Sequence, residues 1–258
     1  MWKFYGSHKR DFPWRNTSDF YNIWVSEMML QQTQTSRVID KYNEFIRTFP
    51  DFQSLANAPQ SEVLRLWQGL GYNRRALYLK RSAEIITVAN KENQKIVTTE
   101  FLVTLPGIGP NTAGAIYAFT MNKPVVFIET NIRRVMINEF FKNQSTVDDK
   151  EILQLIEQTL DSNNPREWYY ALMDYGAYLA KTISNPNRQS RHYTKQSKFE
   201  GSLRQTRGKI LKLLLNGPQK FTQFSENFKE DHNFHDAINQ LTTENFIEQD
   251  DKSIKLRS

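Results

Sequence analysis

Cysteine is absent from all 258 residues. Disulfides, a thiol nucleophile, thiolate zinc and a cysteine-held iron–sulfur cluster are therefore excluded. The four histidines, His8, His192, His232 and His235, are scattered, which argues against a histidine-rich metal site. No apolar run approaches the ~18 residues that span a bilayer. The first residues, MWKFYGSHKRDFPW, lack the apolar stretch of a signal peptide. Strand signals are scarce as well, because the apolar stretch at 124–128 is too short to anchor a sheet. A soluble, intracellular protein without a membrane partner is expected.

What is present suits a folded chain. Hydrophobic residues make up 39%, aromatics 13% and charged residues 24%, too apolar for disorder, and the length allows one or two domains. Helical spacing dominates residues 1–180. Val38, Tyr42, Phe45, Ile46 and Phe49 lie on one helical face; so do Ala76, Leu79, Ala83 and Ile86, and again Ile152, Leu155, Ile156 and Leu160. With proline and glycine breakers between them, these runs predict an all-α region of eight to ten helices.

The composition shifts near residue 180. Residues 181–212 hold nine basic side chains against Glu200 alone, a net +8, which leaves the rest of the chain at −2 of the total +6. Residues 181–202 are expected to form an exposed basic loop. From Leu203 onward, three short helical patterns and an alternating hairpin around Asp250-Asp251-Lys252 predict a small winged-helix-like unit at 203–258.

One stretch stands out, Leu105-Pro-Gly-Ile-Gly-Pro-Asn-Thr-Ala-Gly-Ala-Ile116. A short helix ends at a tight turn containing Gly107 and Gly109, and a second helix starts at small residues beginning with Thr112. Glycine lets backbone N–H groups approach an anion closely, the logic of a helix–hairpin–helix gripping a DNA phosphate. An ordinary interhelical turn has the same local pattern. Two carboxylates lend this turn context. Glu27 falls among Trp24, Met28 and Leu30, so burial should raise its pKa and keep it protonated. Glu129 lies just beyond the second helix, and hydrogen bonding at a helix start would keep it ionised. A pair pushed apart in this way suits cleavage of a glycosidic bond, although each glutamate taken singly reads more readily as a solvated surface residue.

PWR (13–15), SEMMLQQTQ (26–34), LWQGLGYNRRA (66–76), LPGIGPNTAGAI (105–116), ETNIRRV (129–135) and MDYGA (173–177) together resemble the MutY adenine DNA glycosylases. That family belongs to the helix–hairpin–helix superfamily that also holds endonuclease III and the mismatch thymine glycosylases. The resemblance covers about residues 10–180 and implies a fold of two helical lobes at 1–180. It implies that Glu27 protonates the departing adenine, that Glu129 stabilises the cationic sugar, and that Asn131 supports that site. Tyr72 and Gln32 would wedge into the duplex beside the opposite base, with Gln31 at the same surface. For Tyr72 a capping aromatic after a Gly-x-Gly turn is the rival reading. Arg15 and Asp174 would lie near the extruded base, or form an ordinary surface ion pair. Asn111 stands where bifunctional relatives carry a lysine, so Schiff-base strand cleavage is not expected. Gly107, Gly109 and Thr112 would hold a phosphate, and Arg188, Arg191, Lys195 and Lys198 further phosphates.

Three features depart from the family. Its four cluster-holding cysteines are missing from residues 178–198, so no cofactor or metal is expected. Glutamate replaces aspartate at 129. The small unit expected at 203–258 is unlike the larger 8-oxoguanine-sensing domain that the resemblance would place there. The expected function is a monofunctional glycosylase acting as a monomer on double-stranded DNA with a mispaired or damaged base, in the cytoplasm (a bacterial or archaeal nucleoid) or elsewhere within the cell with DNA. Adenine opposite guanine or 8-oxoguanine is the expected target. A thymine or uracil mismatch glycosylase and a non-catalytic DNA-damage-binding protein are the alternatives.

Overall fold

The computed structural model describes residues 1–92, 95–195, 197–250 and 252–257. The chain forms two compact units, Met1–Glu27 with Glu92–Lys195, and Met28–Lys91 with Gln196–Ser258. No described helix is long and apolar enough to cross a membrane.

In the first unit, prolines and capping side chains set the helix starts. Pro110 and Pro165 open the helices Pro110–Met121 and Pro165–Thr182, where the missing N–H costs no helical hydrogen bond. Asp148 and Glu151 form a capping box on Asp149–Thr159. Glu129 caps Thr130–Phe140. The apolar faces meet in a core that includes Ile23, Phe119, Phe127, Ile132, Met136 and Tyr169. The small residues of the second motif helix have a packing reason, since a Cβ on Gly114 would lie 2.8 Å from the Phe127 Cβ.

Up to Thr182 the described residues form eleven α-helices, more than the eight to ten expected. Short helices such as Trp2–His8, Phe52–Asn57 and Thr99–Leu102 hold too few residues to show a 3.6-residue period. The basic loop is only partly free. Its Pro186–Gln189 turn is helical, Ser190 bridges Val147, and the Asn187 amide donates to the Thr130 carbonyl at 3.0 Å.

The second unit combines the helices Thr35–Thr48, Phe52–Asn57, Gln60–Trp67 and Arg74–Lys91 with the C-terminal segment. That segment runs helix Leu203–Leu214, strand Gln219–Lys220, helices Phe221–Glu226 and Phe234–Thr243, then strands Ile247–Gln249 and Ser253–Leu256. The last strand is central and antiparallel to both others, with Gln219 opposite Ile254 and Ile247 opposite Leu256. The two-residue first strand carries no alternation and has no sequence signal. Asp251 of the expected hairpin turn, Gln196 of the basic loop and Ser258 lie outside the described residues. Arginines join the segment to the preceding helices: Arg74 and Arg207 both bind Glu244, and Arg65 donates to the Leu215 carbonyl at 3.0 Å.

Gly114→Ala should destabilise the protein by about 1–3 kcal/mol through overpacking against Phe127. A urea midpoint equal to wild type would show that the two segments can separate without cost.

Candidate active site

Helix Phe20–Leu30 places Glu27 beside Trp24 and Met28, both fully buried. Glu27 keeps partial exposure, yet it is deep enough that burial, assisted by the charge of Glu129 and opposed by Arg15, pushes its carboxyl up to about 8. Among the described residues its carboxyl accepts no hydrogen bond. Glu129 differs. It accepts from the amides of Asn131 and Ile132, each at 2.8 Å, and from the Asn131 side chain at 3.3 Å. Burial raises its carboxyl too, but these amides and the nearby Arg134 and Arg133 work against the rise. The two carboxyls interact with unequal hydrogen bonding: burial raises both, and Glu129 has amide donors that oppose the rise.

Arg15 and Asp174 are not a surface pair. Their side chains are only 4% and 1% exposed. Arg15 grips both carboxylate oxygens of Asp174, at 2.9 and 2.8 Å, and faces the Tyr170 ring at 4.4 Å. Arg10, which carries no sequence signal of its own, adds its amide at 2.9 Å and its Nε at 2.6 Å. Burial alone would raise the Asp174 carboxyl; Arg15 and Arg10 outweigh it and hold it below the ordinary range. Tyr170 is a second residue that sequence reasoning misses. It is buried, and desolvation, then the charge of Glu27, raise its phenol. A tyrosine in an apolar helix face reads as core, so only the arginine-rich 10–15 segment hints at this cluster.

Arg134 holds Asn131 in place, donating to its side-chain oxygen at 2.7 Å and to the Gly176 carbonyl at 2.9 Å. The approach is close, because a Cβ on Gly176 would lie 2.3 Å from the Asn131 carbonyl oxygen. Asn111 is exposed, and its side-chain oxygen accepts from the Ile128 amide at 3.1 Å. It offers a carboxamide where an amine nucleophile would be needed.

The remaining sequence-derived positions fall in three places. Gly107 (φ 77°) and Gly109 are exposed at the turn before Pro110–Met121, and Thr112 lies in its first turn. A Cβ on Gly109 would meet open space, so nothing inside the protein demands glycine there. Arg188, Arg191, Lys195 and Lys198 are exposed, although Arg191 pairs with Asp148 at 3.3 Å. Gln31, Gln32 and Tyr72 lie in the second unit, whereas Glu27, Glu129, Asn131, Asn111, Arg15 and Asp174 lie in the first.

Residues 178–198 contain no cysteine, so they do not fit a cysteine-held cluster. Among the described residues no group of three or more His, Cys, Asp or Glu side chains could hold a metal ion. The Val147–Ser190 bridge and the Asn187–Thr130 bond fix this segment instead.

Folded Glu27 holds its proton more tightly than an ordinary glutamate, at about 8 against 4.5. Its contribution to stability is thus complete below pH ~4.5 and is lost as pH rises through about 8, by at most ~1.4 kcal/mol per pH unit. The melting temperature of Glu27→Gln relative to wild type should therefore climb from about pH 5 to pH 8. A difference independent of pH would contradict the raised carboxyl.

The family described as HhH-GPD superfamily base excision DNA repair protein matches residues 25–161. The chain is similar to the adenine DNA glycosylase of Buchnera aphidicola subsp. Baizongia pistaciae, with 35% identity over 184 residues, 69% of this chain and 50% of that protein. It spans about half the length of such curated relatives. A thermostable thymine-DNA glycosylase superposes with TM-score 0.61 at 27% identity, over 68% of this chain and 82% of that one. A trapped endonuclease III–DNA covalent intermediate shares the fold, with TM-score 0.60 at 14% identity over 70% and 84% of the two chains. The chain belongs to the HhH-GPD superfamily of base excision DNA repair proteins.

Proposed function

We propose that this protein is a monofunctional DNA glycosylase that extrudes a mispaired adenine from a duplex and hydrolyses its N-glycosidic bond. The carrying observation is the carboxyl pair: Glu27 raised to about 8 with no hydrogen bond among the described residues, and Glu129 held by two amides and an asparagine. Protonated Glu27 donates its proton to a ring nitrogen of the base. The C1′–N bond breaks, its electron pair leaves with the base, and the sugar becomes oxocarbenium-like. The Glu129 carboxylate faces that cation, and water adds at C1′ with loss of a proton to Glu129. Asn131, fixed by Arg134, keeps Glu129 oriented.

Arg15, Asp174 and Arg10 form a rigid wall of the base pocket, and Tyr170 is packed against it. Gln31, Gln32 and Tyr72 wedge into the duplex beside the opposite base. Gly107, Gly109 and Thr112 hold one phosphate, and the free cations of the basic loop hold others. The similarity to curated adenine DNA glycosylases supports adenine as the base; the likeness to a thymine-DNA glycosylase favours a second reading with thymine or uracil. Asn111 supports hydrolysis without strand cleavage.

Duplexes carrying single A:8-oxoguanine, A:G, T:G and U:G pairs, treated with alkali after incubation, separate these readings. Cleavage of the adenine duplexes is expected. Cleavage confined to T:G or U:G would replace adenine, and no cleavage would overturn the enzyme. Glu27→Gln should abolish turnover while retaining DNA binding, and borohydride should trap no covalent complex. The wild-type single-turnover rate should fall about tenfold per unit above pH ~8, as Glu27 loses its proton; a rate still rising at that pH would remove Glu27 as the acid. Replacing Arg188, Lys195 and Lys198 by glutamine should lower the salt slope of binding by ~0.9 for each phosphate no longer neutralised. An unchanged slope would place these residues away from DNA.

A further inference from the structure

The second unit contains two strained turn tips held by one guanidinium. Gln32 (φ 53°) and Tyr72 (φ 46°) are neither glycine nor asparagine, yet both adopt the left-handed region, which costs energy for such side chains. Buried Arg75 binds the segments carrying both tips. Its Nη1 donates to the Met28 and Met29 carbonyls at 2.8 and 2.9 Å, and its Nη2 to the Thr33 hydroxyl at 2.9 Å and the Gly71 carbonyl at 3.0 Å. Together the tips present an amide, which can donate and accept, and a ring that is 36% exposed. Those are the groups that read the edge of an unpaired base and stack on its face.

Tyr72 has a further partner from far along the chain. Arg204, near the start of helix Leu203–Leu214, donates Nη1 to the Tyr72 phenol oxygen at 2.6 Å, and its guanidinium lies 5.4 Å from the ring centre. Its Nη2 is anchored on the Ser197 carbonyl at 2.8 Å. Among the described residues no carboxylate pairs with Arg204, so the ring carries an uncompensated cation beside it. The helix bearing Arg204 is itself fixed. Glu244 receives Arg207 and Arg74, which overcome its burial and pull its carboxyl down to about 2. Gln60 adds a bond to the Asn245 carbonyl at 3.0 Å.

We propose that Arg204 is a positioning residue for Tyr72, and that through it the C-terminal segment sets which base is preferred opposite the excised one. With one lone pair of the phenol oxygen occupied by Arg204, the ring is held in one orientation. The inference rests on the glycosylase reading only in taking duplex DNA as the ligand.

The test is the affinity of the whole chain for duplexes bearing a tetrahydrofuran abasic analogue opposite 8-oxoguanine, guanine, thymine or cytosine, which needs no turnover. Wild type should prefer one opposite base. Arg204→Met and Tyr72→Phe should each reduce that preference, roughly tenfold for loss of a charge-assisted hydrogen bond. The double variant should lose no more than either single one, and Arg204→Lys should restore part of the preference. A wild type without preference, an unchanged preference in Arg204→Met, or losses that multiply in the double variant would overturn the proposal. If Arg204→Met fails to fold, Tyr72→Phe alone decides, because an unchanged preference there removes the role of the bond. Excision of adenine by wild type is scored separately. Absent excision with coupled preferences would sink the glycosylase and leave the Arg204–Tyr72 linkage standing.

Discussion

Two carboxyl groups that interact in a desolvated site cannot both be ionised cheaply, and the first unit is organised around that constraint. Its helices provide unequal surroundings. Glu27 stands on a helix face with fully buried Trp24 and Met28, and among the described residues no donor stabilises its anion. Glu129 stands at a helix start, where two amides point at it. The same burial acts on both, and the difference in donors decides which one keeps the proton. Glutamate at this position caps its helix, and its far oxygen accepts from the Asn131 side chain, which Arg134 in turn holds.

Arginines with several partners do the equivalent work elsewhere. Arg15 locks Asp174, Arg134 locks Asn131 against Gly176, Arg75 ties the two left-handed turns, and Arg207 with Arg74 docks the C-terminal segment through Glu244. A guanidinium can bind several carbonyls and carboxylates in fixed directions, so these contacts define geometry where apolar packing would leave freedom. They also change the meaning of the basic segment. Arg204 and Arg207 have internal partners, and Arg191 pairs with Asp148, so only part of the +8 stretch is available to phosphates.

The sequence made the long amphipathic helices legible. Val38, Tyr42 and Phe45 pointed to Thr35–Thr48, and Ile152 and Ile156 to Asp149–Thr159, because apolar periodicity survives wherever a helix covers a core. Glu27 was visible through its apolar neighbours, and Glu129 through its place before Thr130-Asn131. Arg10, Arg134, Tyr170 and Arg204 were not. An arginine on a polar segment looks solvated until the fold brings a carboxylate or carbonyl to it, and Asp174 and Gly176 are far away in the chain. The strand Gln219–Lys220 was hidden for a simpler reason, since two residues cannot display alternation.

The central claim is that Glu27, not Glu129, carries the proton near neutral pH. Carbon-13 NMR titration of the glutamate side-chain carboxyls, assigned with Glu27→Gln and Glu129→Gln, tests it directly. One carboxyl resonance titrating near pH 8, absent from Glu27→Gln, is the expected result. A titration in which every glutamate is ionised by about pH 6, or in which the high-pH resonance vanishes only in Glu129→Gln, would contradict it.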